Sequence, residues 1–493
     1  MGIRCIRRHI RRTIQSRLAH QHVAATVHTA SARIAAAPAR IMGELRRGFD
    51  MTDTMFNDFV QQVDSRFYRH LFTRTNIPIK ASKSREDFLG ELQKKIATKE
   101  YHPQTPRAYI VLGKQHLVSR IIPVLKLADA CVYYYCIKKI EDSLVKTRVD
   151  GTYGAFRMGG VMRKVEDADF ARISEQESAS PYPYNPLAWV KEWGDFQSKI
   201  VTYLGEDEYK YFIKFDISNF YDCINLAYLE ARLRSACADE QMDLIDLLMY
   251  FLRFWNRDFE NFKQKNIGIP QDEVGDCSRI LANFYLHEYD KYLKEEAEKR
   301  GCKYVRYSDD QIIFAKDEAH AKEVLYLASN YLARINLNLN PSKVDIFDSL
   351  ESFRNYWSID IFEYLTEPFD QKRIETAIKI YIKRRDKGIH FRRSSVLRKI
   401  TNVLSKSGIR IDLNLRKKIE DEITQEQHVL SSKGYDLKSI YAVLDGKSRR
   451  DFVKQLMKFS KMYLFNQYHY ALLASGIPFL SKREIRKSIR DFK

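Results

Sequence analysis

The sequence is poor in the features of cross-linked and membrane proteins. Its 493 residues hold only 7 cysteines and no Cys-x-x-Cys pair, which excludes a zinc ribbon and a disulfide scaffold. No apolar run approaches the roughly 18 residues that a membrane-spanning helix needs, and the best candidate, residues 244–255, is interrupted by Asp246 and Arg253. We therefore expect a reduced, cytoplasmic protein with no membrane partner.

Acidic residues are outnumbered by basic ones. Lys and Arg total 83 against 64 Asp and Glu, which gives a net charge of +19. At 45% hydrophobic and 13% aromatic residues, the chain has the composition of a folded protein and the length for more than one domain. The positive charge favours a polyanionic partner, and nucleic acid is the prime candidate.

The first 50 residues differ from the rest, because they contain ten arginines, no lysine and only two acids, Glu44 and Asp50. An Arg-rich, acid-poor start is typical of an organelle transit peptide. The alternative that we favour is an over-extended start, with Met51 or Met55 as the natural first residue. Residues 51–493 carry +11 without this segment's +8, so the argument for a polyanionic partner holds in either case.

Three aspartates lie in a predicted strand or in the turn of a predicted hairpin. Residues 211–217 alternate, which predicts a half-buried strand with Lys214 and Asp216 on its polar face. Asp309 and Asp310 interrupt two apolar segments, which predicts a hairpin whose turn carries both. Such an acid pair without a basic neighbour repels itself, and divalent cations relieve the repulsion. Three carboxylates on adjacent strands can hold two Mg²⁺ ions about 4 Å apart for phosphoryl transfer. A plain polar turn is the alternative, because Asp is common in turns.

Four segments resemble, in order and spacing, the palm motifs of reverse transcriptases. They are KFDISNFYDCI (214–224), GIPQDEVGDCSRILANFYL (268–286), RYSDDQIIF (306–314) and LNLNPSKVDIF (337–347). Upstream, GKQHLVSRIIPV (113–124) is similar to the fingers segment of the family, and TYGAFRMGG (152–160) resembles the Gly-x-Phe-Arg stretch of bacterial members. The resemblance covers about residues 100–350, roughly half of the chain. Asp272 departs from it, since glycine usually follows Pro-Gln, and the Phe-Leu-Gly stretch expected after the fourth motif is missing.

The resemblance implies roles for individual residues in DNA synthesis from dNTPs. Asp216, Asp309 and Asp310 are implied as ligands of two Mg²⁺ ions, with Mn²⁺ able to substitute, and Lys343 as a general acid toward pyrophosphate. Tyr221 is implied to exclude a 2′-hydroxyl, so that dNTPs are preferred over NTPs. The residues implied to contact the nucleotide are Lys114, Arg120, Gln271 and Asn283, while Arg157 lies in the Gly-x-Phe-Arg stretch and is expected to bind nucleic acid. Ordinary packing or solvation is the alternative for each residue beyond the aspartates.

The implied fold is α+β, a right-hand polymerase with mixed fingers, a palm built on an antiparallel sheet, and a helical thumb. We predict a basic N-terminal extension over residues 1–50, fingers and N-terminal helices over 51–205, and the palm over 206–350. A thumb-like helical region is predicted over 351–445, followed by a helical C-terminal extension over 446–493.

The C-terminal part contains a basic and a tyrosine-rich stretch. Residues 382–399 hold many Lys and Arg and one acid, with Tyr381 and Phe391 interleaved, as expected of a surface that follows a duplex backbone. The residues predicted to bind nucleic acid there are Lys383, Arg384, Arg385, Arg392 and Arg393; a solvated helix face is the alternative. In residues 459–473 a tyrosine hydroxyl could prime synthesis, although core packing or an oligomer contact is favoured.

No His-Asn-His nuclease, zinc finger or retroviral-type RNase H is evident in the sequence. Ser278 to Ala282, Ser-Arg-Ile-Leu-Ala, resembles bacterial abortive-infection and defence-associated reverse transcriptases. That resemblance implies antiphage defence, a noncoding RNA as template or scaffold, a DNA product, and a second protein or a homo-oligomer as possible assemblies. The alternatives are a retron-type reverse transcriptase and a catalytically idle nucleic-acid-binding scaffold. A nucleotide cyclase is disfavoured because a Gly-Gly-(Asp/Glu)-(Asp/Glu)-Phe stretch is missing.

Overall fold

The computed structural model describes residues 56–74, 83–113, 119–158, 184–185, 188–206, 208–256, 268–271, 275–425, 434–462, 479–483 and 486. These residues divide into two compact units. The N-terminal unit comprises the described residues of Met51–Ile110 and Ile121–Trp357. The C-terminal unit comprises those of Val111–Arg120 and Ser358–Lys493. The predicted N-terminal extension, residues 1–50, lies outside the described residues.

Helices and strands alternate irregularly through the N-terminal unit, which confirms the α+β class. Its helices are α1 (Phe59–Gln62), α2 (Ser65–Arg74), α3 (Arg85–Ala97), α4 (Leu127–Val145), α5 (Ala188–Leu204), α6 (Phe220–Cys223), α7 (Leu226–Ala236), α8 (Met242–Phe254), α9 (Cys277–Tyr285), α10 (His287–Lys299), α11 (Glu318–Arg334) and α12 (Leu350–Trp357). Single 3₁₀ turns span Asp239–Gln241 and Pro341–Lys343. Two strands, β1 (Ala108–Gly113) and β2 (Ser119–Val124), each have residues in both units. The strands that lie wholly in the N-terminal unit are β3 (Thr152–Tyr153), β4 (Tyr211–Ser218), β5 (Lys303–Tyr307), β6 (Asp310–Ala315), β7 (Asn338–Leu339) and β8 (Asp345–Phe347).

A six-stranded sheet forms the centre of the described N-terminal unit. Its order is β3-β5-β6-β4-β7, and β8 also pairs with β4. Strands β5 and β6 form the predicted hairpin, with Tyr307 opposite Asp310. The sheet is not purely antiparallel as expected, because the short edge strand β3 runs parallel to β5. Strands β1 and β2 form a separate two-stranded sheet.

Strand β4 is buried on both faces, so the prediction of a half-buried strand is wrong. On one face Ile213 and Phe215 join the main core. On the other face Phe212 is fully buried, and its ring stacks on Phe353 of α12 with centroids 4.4 Å apart. Asp216 therefore occupies a covered strand face, and it is itself only 3% exposed. A carboxylate buried in this way needs a compensating partner.

The C-terminal unit is helical and has its own core, as its sequence predicts. Its helices are α13 (Ile359–Tyr364), α14 (Gln371–Asp386), α15 (Arg393–Ser407), α16 (Leu413–Gln425), α17 (Gly434–Val443) and α18 (Gly446–Met462). Buried side chains such as Ile374, Ile400 and Phe452 form this core. The division into fingers, palm, thumb and C-terminal extension stays a prediction.

Across the described segments, no helix combines the length and the apolar character that crossing a membrane requires.

Candidate active site

Strand pairing brings the three predicted aspartates together. In the antiparallel pair of β4 and β6, Asp216 lies directly opposite Asp310. Asp309 occupies the turn between β5 and β6, after Ser308, whose φ of 54° is left-handed. Directly opposed residues on adjacent strands have Cβ atoms about 5 Å apart. The three carboxyl groups therefore converge at the end of the hairpin.

The pKa of Asp309 reflects its burial and the two neighbouring carboxylates. Burial raises its pKa most, and the charges of Asp310 and Asp216 raise it further, from the ordinary 3.8 to about 7. A carboxyl group with a pKa near 7 is partly protonated at neutral pH, and an added positive charge favours its ionised form. The hairpin end is therefore a place where a cation would be bound favourably.

Lys214 is a counter-ion that the sequence-based reasoning missed. Its Nζ lies 3.0 Å from Oδ1 of Asp310. Burial lowers the pKa of Lys214, but the charge and hydrogen bond of Asp310, together with Tyr356 and Asp216, outweigh burial, and the net shift is upward. The prediction of an acid pair without a basic neighbour is thus wrong. The signal was present, since Lys214 and Asp216 share a face of one strand.

Lys343 is the second counter-ion, and it was predicted to lie at the site. It ends the 3₁₀ turn Pro341–Lys343, and its Nζ lies 2.5 Å from Oδ2 of Asp216. The turn is held to β4 because the Asn340 amide donates to the Asp216 carbonyl at 2.9 Å. The structure therefore brings Lys343 into contact with the predicted metal ligand.

The carboxylates suit a divalent cation in their chemistry, since Mg²⁺ prefers oxygen donors. Burial raises the pKa of Asp309 most and repulsion by Asp310 and Asp216 raises it further, and a bound cation would relieve that repulsion. In the side-chain positions observed, however, no group of three or more His, Cys, Asp or Glu donors in the described parts of the chain is arranged around one metal position. Two of the three acids instead contact lysines.

Tyr221 lies in the short helix α6, close to the second motif. The backbone of Gly268 packs so tightly here that an added Cβ would stand 1.9 Å from the Tyr221 carbonyl oxygen. The Ile269 amide donates to that oxygen at 3.1 Å, and Trp255 Nε1 donates to the Gly268 carbonyl at 3.1 Å. The glycine is required because no larger residue permits this approach. Gln271 follows as a half-buried residue, and residues 272–274 lie outside the described part.

Helix α9 contains Ser278 and Asn283, and both are buried. Asp276 precedes α9 as its N-cap, so Ser278 lies within the first turn of the helix. Ser278 Oγ donates to the Pro270 carbonyl and lies 2.8 Å from the Tyr133 hydroxyl. Asn283 Nδ2 donates to the Ala155 carbonyl at 2.7 Å. These bonds favour a structural contribution from both side chains.

Three predicted contacts lie upstream of the palm motifs. Lys114 lies outside the described residues, and Arg120 is described only through its backbone in β2. Arg157 forms an ion pair with Asp142, and 13% of its side chain is exposed. The roles of these residues stay predictions.

The basic stretch of the C-terminal unit is only partly a solvent-facing surface. Lys383 is exposed and Arg392 is half-buried. Arg384 is buried and contacts Asp360 at 2.9 Å. Arg385 and Arg393 both contact the buried Glu422, each at 2.6 Å.

The aromatic residues of that stretch are not available to stack on bases. Tyr381 and Phe391 are buried, and they pack edge to face with centroids 5.5 Å apart. The prediction of interleaved exposed aromatics is therefore wrong. Helical periodicity explains the result, because Tyr381 follows Ile374 and Ile378 on the apolar face of α14. Of the tyrosine-rich stretch 459–473, residues 463–473 lie outside the described part.

Residues 172–367 match the family model described as reverse transcriptase (RNA-dependent DNA polymerase). The matched segment contains Asp216, Tyr221, Asp309, Asp310 and Lys343. The chain therefore contains a reverse transcriptase domain, and the predicted α+β right-hand polymerase class is confirmed. It is a nucleotidyltransferase, an RNA-directed DNA polymerase.

Among solved structures, the chain is similar to apo telomerase from Candida tropicalis, with 11% identity, a TM-score of 0.32, and coverage of 82% of this chain and 74% of that chain. It is also similar to telomerase from Candida albicans in complex with a TWJ fragment of telomeric RNA, with 11% identity, a TM-score of 0.31, and coverage of 79% and 70%. No curated protein matches the chain.

Proposed function

We propose that the enzyme adds dNTPs to a DNA strand at Asp216, Asp309 and Asp310 by two-metal phosphoryl transfer, with RNA as template. The observation that supports this most is the register of β4 and β6, which places Asp216 opposite Asp310 and Asp309 in the adjoining turn. A purely structural hairpin has no need of three clustered carboxyl groups, because keeping them together takes two lysine counter-ions and raises the pKa of Asp309.

The three aspartates are the residues that would hold divalent cations, Mg²⁺ or Mn²⁺. When bound, such ions supply activation of the attacking 3′-hydroxyl and neutralisation of charge on the transferred phosphate. The chain's own contribution is to keep the carboxylates close, and to keep Lys214 and Lys343 as their counter-ions until other cations take that role.

Lys343 and Tyr221 are proposed to act on the nucleotide. Half of the Lys343 side chain is exposed, so its ammonium group can leave Asp216 and donate a proton to departing pyrophosphate. The Tyr221 ring would lie beneath the sugar and leave no room for a 2′-hydroxyl. The packing of Gly268 and Ile269 against the Tyr221 backbone supports this, since it fixes the position from which the ring projects.

The biological setting we propose is antiphage defence in the cytoplasm of a bacterium, with an associated noncoding RNA as template or scaffold. The support is the Ser-Arg-Ile-Leu-Ala segment from Ser278 to Ala282. A retron-type reverse transcriptase is the alternative within the same enzyme class. A second protein or a second copy of the chain would complete either assembly.

The test is nucleotide incorporation by the full-length protein, purified with its bound nucleic acid and supplied with Mg²⁺ and labelled dNTPs or NTPs. Asp309→Asn removes one carboxylate, and Asp348→Asn is the matched control, because Asp348 is exposed beyond β8. We expect dNTP incorporation by the native protein and the control, with a loss of at least about 10³-fold in Asp309→Asn. RNase treatment beforehand should abolish incorporation if RNA is the template.

Equal incorporation by Asp309→Asn and the native protein would overturn the proposed site. Incorporation that survives RNase but not DNase would assign a DNA template. Label that stays with the protein through phenol extraction would point to priming on a side-chain hydroxyl. A biological activity that persists in Asp309→Asn would favour a nucleic-acid-binding scaffold role.

A further inference from the structure

Arg306 is a fully buried arginine directly beside the catalytic turn. It lies in β5, and its side chain has no exposed surface. Its Nε and one terminal nitrogen form two hydrogen bonds to Asp290 of α10, at 2.8 and 2.5 Å. Such a paired geometry fixes the plane of the guanidinium group. Asp290 is also buried, and it accepts a third hydrogen bond from the Tyr304 hydroxyl at 3.0 Å.

The remaining terminal nitrogen of Arg306 reaches the turn itself. This atom donates to the carbonyl oxygen of Ser308 at 2.8 Å and to Oδ1 of Asn283 at 2.7 Å. The Ser308 carbonyl belongs to the peptide bond that leads into Asp309. The guanidinium group thus connects α9, α10 and the backbone that carries the catalytic carboxylate.

Ser308 needs such support, because its φ of 54° is left-handed. A residue with a Cβ adopts that conformation only when its surroundings hold it there. The Ser308 amide donates to the Tyr153 carbonyl at 3.1 Å. A Cβ on Gly154 would lie 3.0 Å from Ser308 Oγ. Arg306 and the loop after β3 therefore hold the same residue from two directions.

We propose that Arg306, anchored by Asp290 and Asn283, is a positioning residue for Asp309 in nucleotide transfer. This inference rests on the proposed function, in which Asp309 is a catalytic carboxylate. The Arg306 side chain contacts neither substrate nor cation in this role. It sets the direction of the peptide that follows Ser308, and with it the position of the Asp309 carboxylate.

Lysine cannot take this role, although it keeps the charge. A lysine has one nitrogen and would remain near Asp290, whereas the planar guanidinium group spans Asp290, Asn283 and the Ser308 carbonyl at once. Arg306→Lys should therefore keep an ion pair inside the protein and lose the connection to the turn. A displacement of about 1 Å at a catalytic group reduces turnover by about 10²-fold.

The experiment compares Arg306→Lys with Tyr304→Phe in the full-length enzyme. The Tyr304 hydroxyl bonds Asp290 and Gln311 in the same buried cluster but does not touch the turn. We expect Arg306→Lys to lower kcat about 10²-fold, with an unchanged KM for dNTP and a higher Mg²⁺ concentration for half-maximal rate. Tyr304→Phe should lower the melting temperature and leave kcat and the Mg²⁺ requirement unchanged.

A native kcat in folded Arg306→Lys would overturn the positioning role, and so would an equal loss of kcat in Tyr304→Phe. If Arg306→Lys does not fold, Asn283→Ser tests the same connection, since it removes one anchor of the shared nitrogen. A loss of kcat at constant KM would support the proposal, whereas a raised KM alone would assign Asn283 to nucleotide binding and overturn it.

Asp309→Asn, measured alongside, separates the two proposals. If Asp309→Asn retains activity, the proposed catalytic site fails, and the positioning role fails with it. If Asp309→Asn is inactive while Arg306→Lys turns over at the native rate, only the positioning role is wrong.

Discussion

The Nζ atom of Lys343 lies 2.5 Å from Oδ2 of Asp216, although 127 residues separate the two in sequence. The side chain of Asp216 is 5% exposed, whereas that of Lys343 is 50% exposed. The carboxylate is therefore fixed in the sheet, while the lysine can turn toward solvent or an arriving phosphate. A pair of this kind joins a fixed carboxylate to a side chain that can move.

Two substitutions of Lys343 should distinguish the effect of its positive charge from the effect of proton donation. We expect Lys343→Ala to lower the single-turnover rate of dNTP addition by roughly 10²-fold, the scale of general acid catalysis. Lys343→Arg keeps a positive charge near Asp216, but a guanidinium group does not release its proton, so a loss of similar size is expected. A native rate in Lys343→Arg would show that charge alone suffices.

The Tyr221 ring should decide between deoxyribose and ribose. Tyr221→Ala opens space for a 2′-hydroxyl, and we expect the ratio of kcat/KM for NTP over dNTP to rise by about 10²-fold, the scale on which a pocket rejects an added hydroxyl. Tyr221→Phe is the matched control, because it keeps the ring and removes only the hydroxyl; its ratio should stay at the native value. The effect is measured by competition between paired NTP and dNTP, and an unchanged ratio in Tyr221→Ala would assign the ring to packing.

Gly268 should tolerate no side chain. In Gly268→Ala the new Cβ would stand 1.9 Å from the Tyr221 carbonyl oxygen, so the loop or α6 must move. We expect destabilisation of about 3 kcal/mol, as for other overpacked sites, with loss of activity. The control is Gly90→Ala in α3, where nothing lies within 4 Å of the added Cβ. Urea unfolding should show a small gain of about 0.5 to 1 kcal/mol in that variant.

Asp129 should make stability fall with rising pH. The residue is fully buried, and its carboxylate accepts hydrogen bonds from the Tyr101 hydroxyl and the Gln104 amide. Burial raises its pKa from the ordinary 3.8 to about 6, against the opposing effect of those bonds. The folded state therefore holds a proton that the unfolded chain has released. This contribution is fully present below about pH 4 and is lost as the pH rises through about 6.

The difference between the native protein and Asp129→Asn isolates this titration. Relative to the variant, the free energy of unfolding of the native protein should fall by roughly 3 kcal/mol between about pH 4 and pH 7. Urea unfolding at several pH values measures it, and a difference that stays constant with pH would contradict the prediction.

Glu422 should stabilise the C-terminal unit. Its buried carboxylate binds Arg385 and Arg393, and it accepts a hydrogen bond from the Tyr381 hydroxyl at 2.6 Å. Glu422→Ala removes an acceptor that two partly exposed arginines share with a buried hydroxyl, while Arg385 keeps its contact with Asp386, and we expect a loss of about 1 to 3 kcal/mol. Lys383→Ala, at an exposed lysine of the same stretch, is the control for stability. If Lys383 contacts a phosphate, Lys383→Ala should weaken nucleic-acid binding more than Glu422→Ala does.

The sequence by itself determined the local secondary structure that carries the site. The alternation over residues 211–217 identified β4, and the Tyr-Ser-Asp-Asp turn identified the hairpin with Asp309. Such patterns are readable because a strand or helix is decided largely by residues within a few positions of one another.

The tertiary structure alone decided which groups neutralise the acids and what holds the turn. Lys214 meets Asp310 only because β4 pairs with β6 in one register, and Arg306 is buried only because α9 and α10 present Asn283 and Asp290 to it. Arg384, which lies in the stretch predicted to bind nucleic acid, is buried against Asp360 for the same reason. A charge pattern predicts that a residue is polar; which partner removes it from water depends on segments that are distant in sequence and adjacent only in the folded chain.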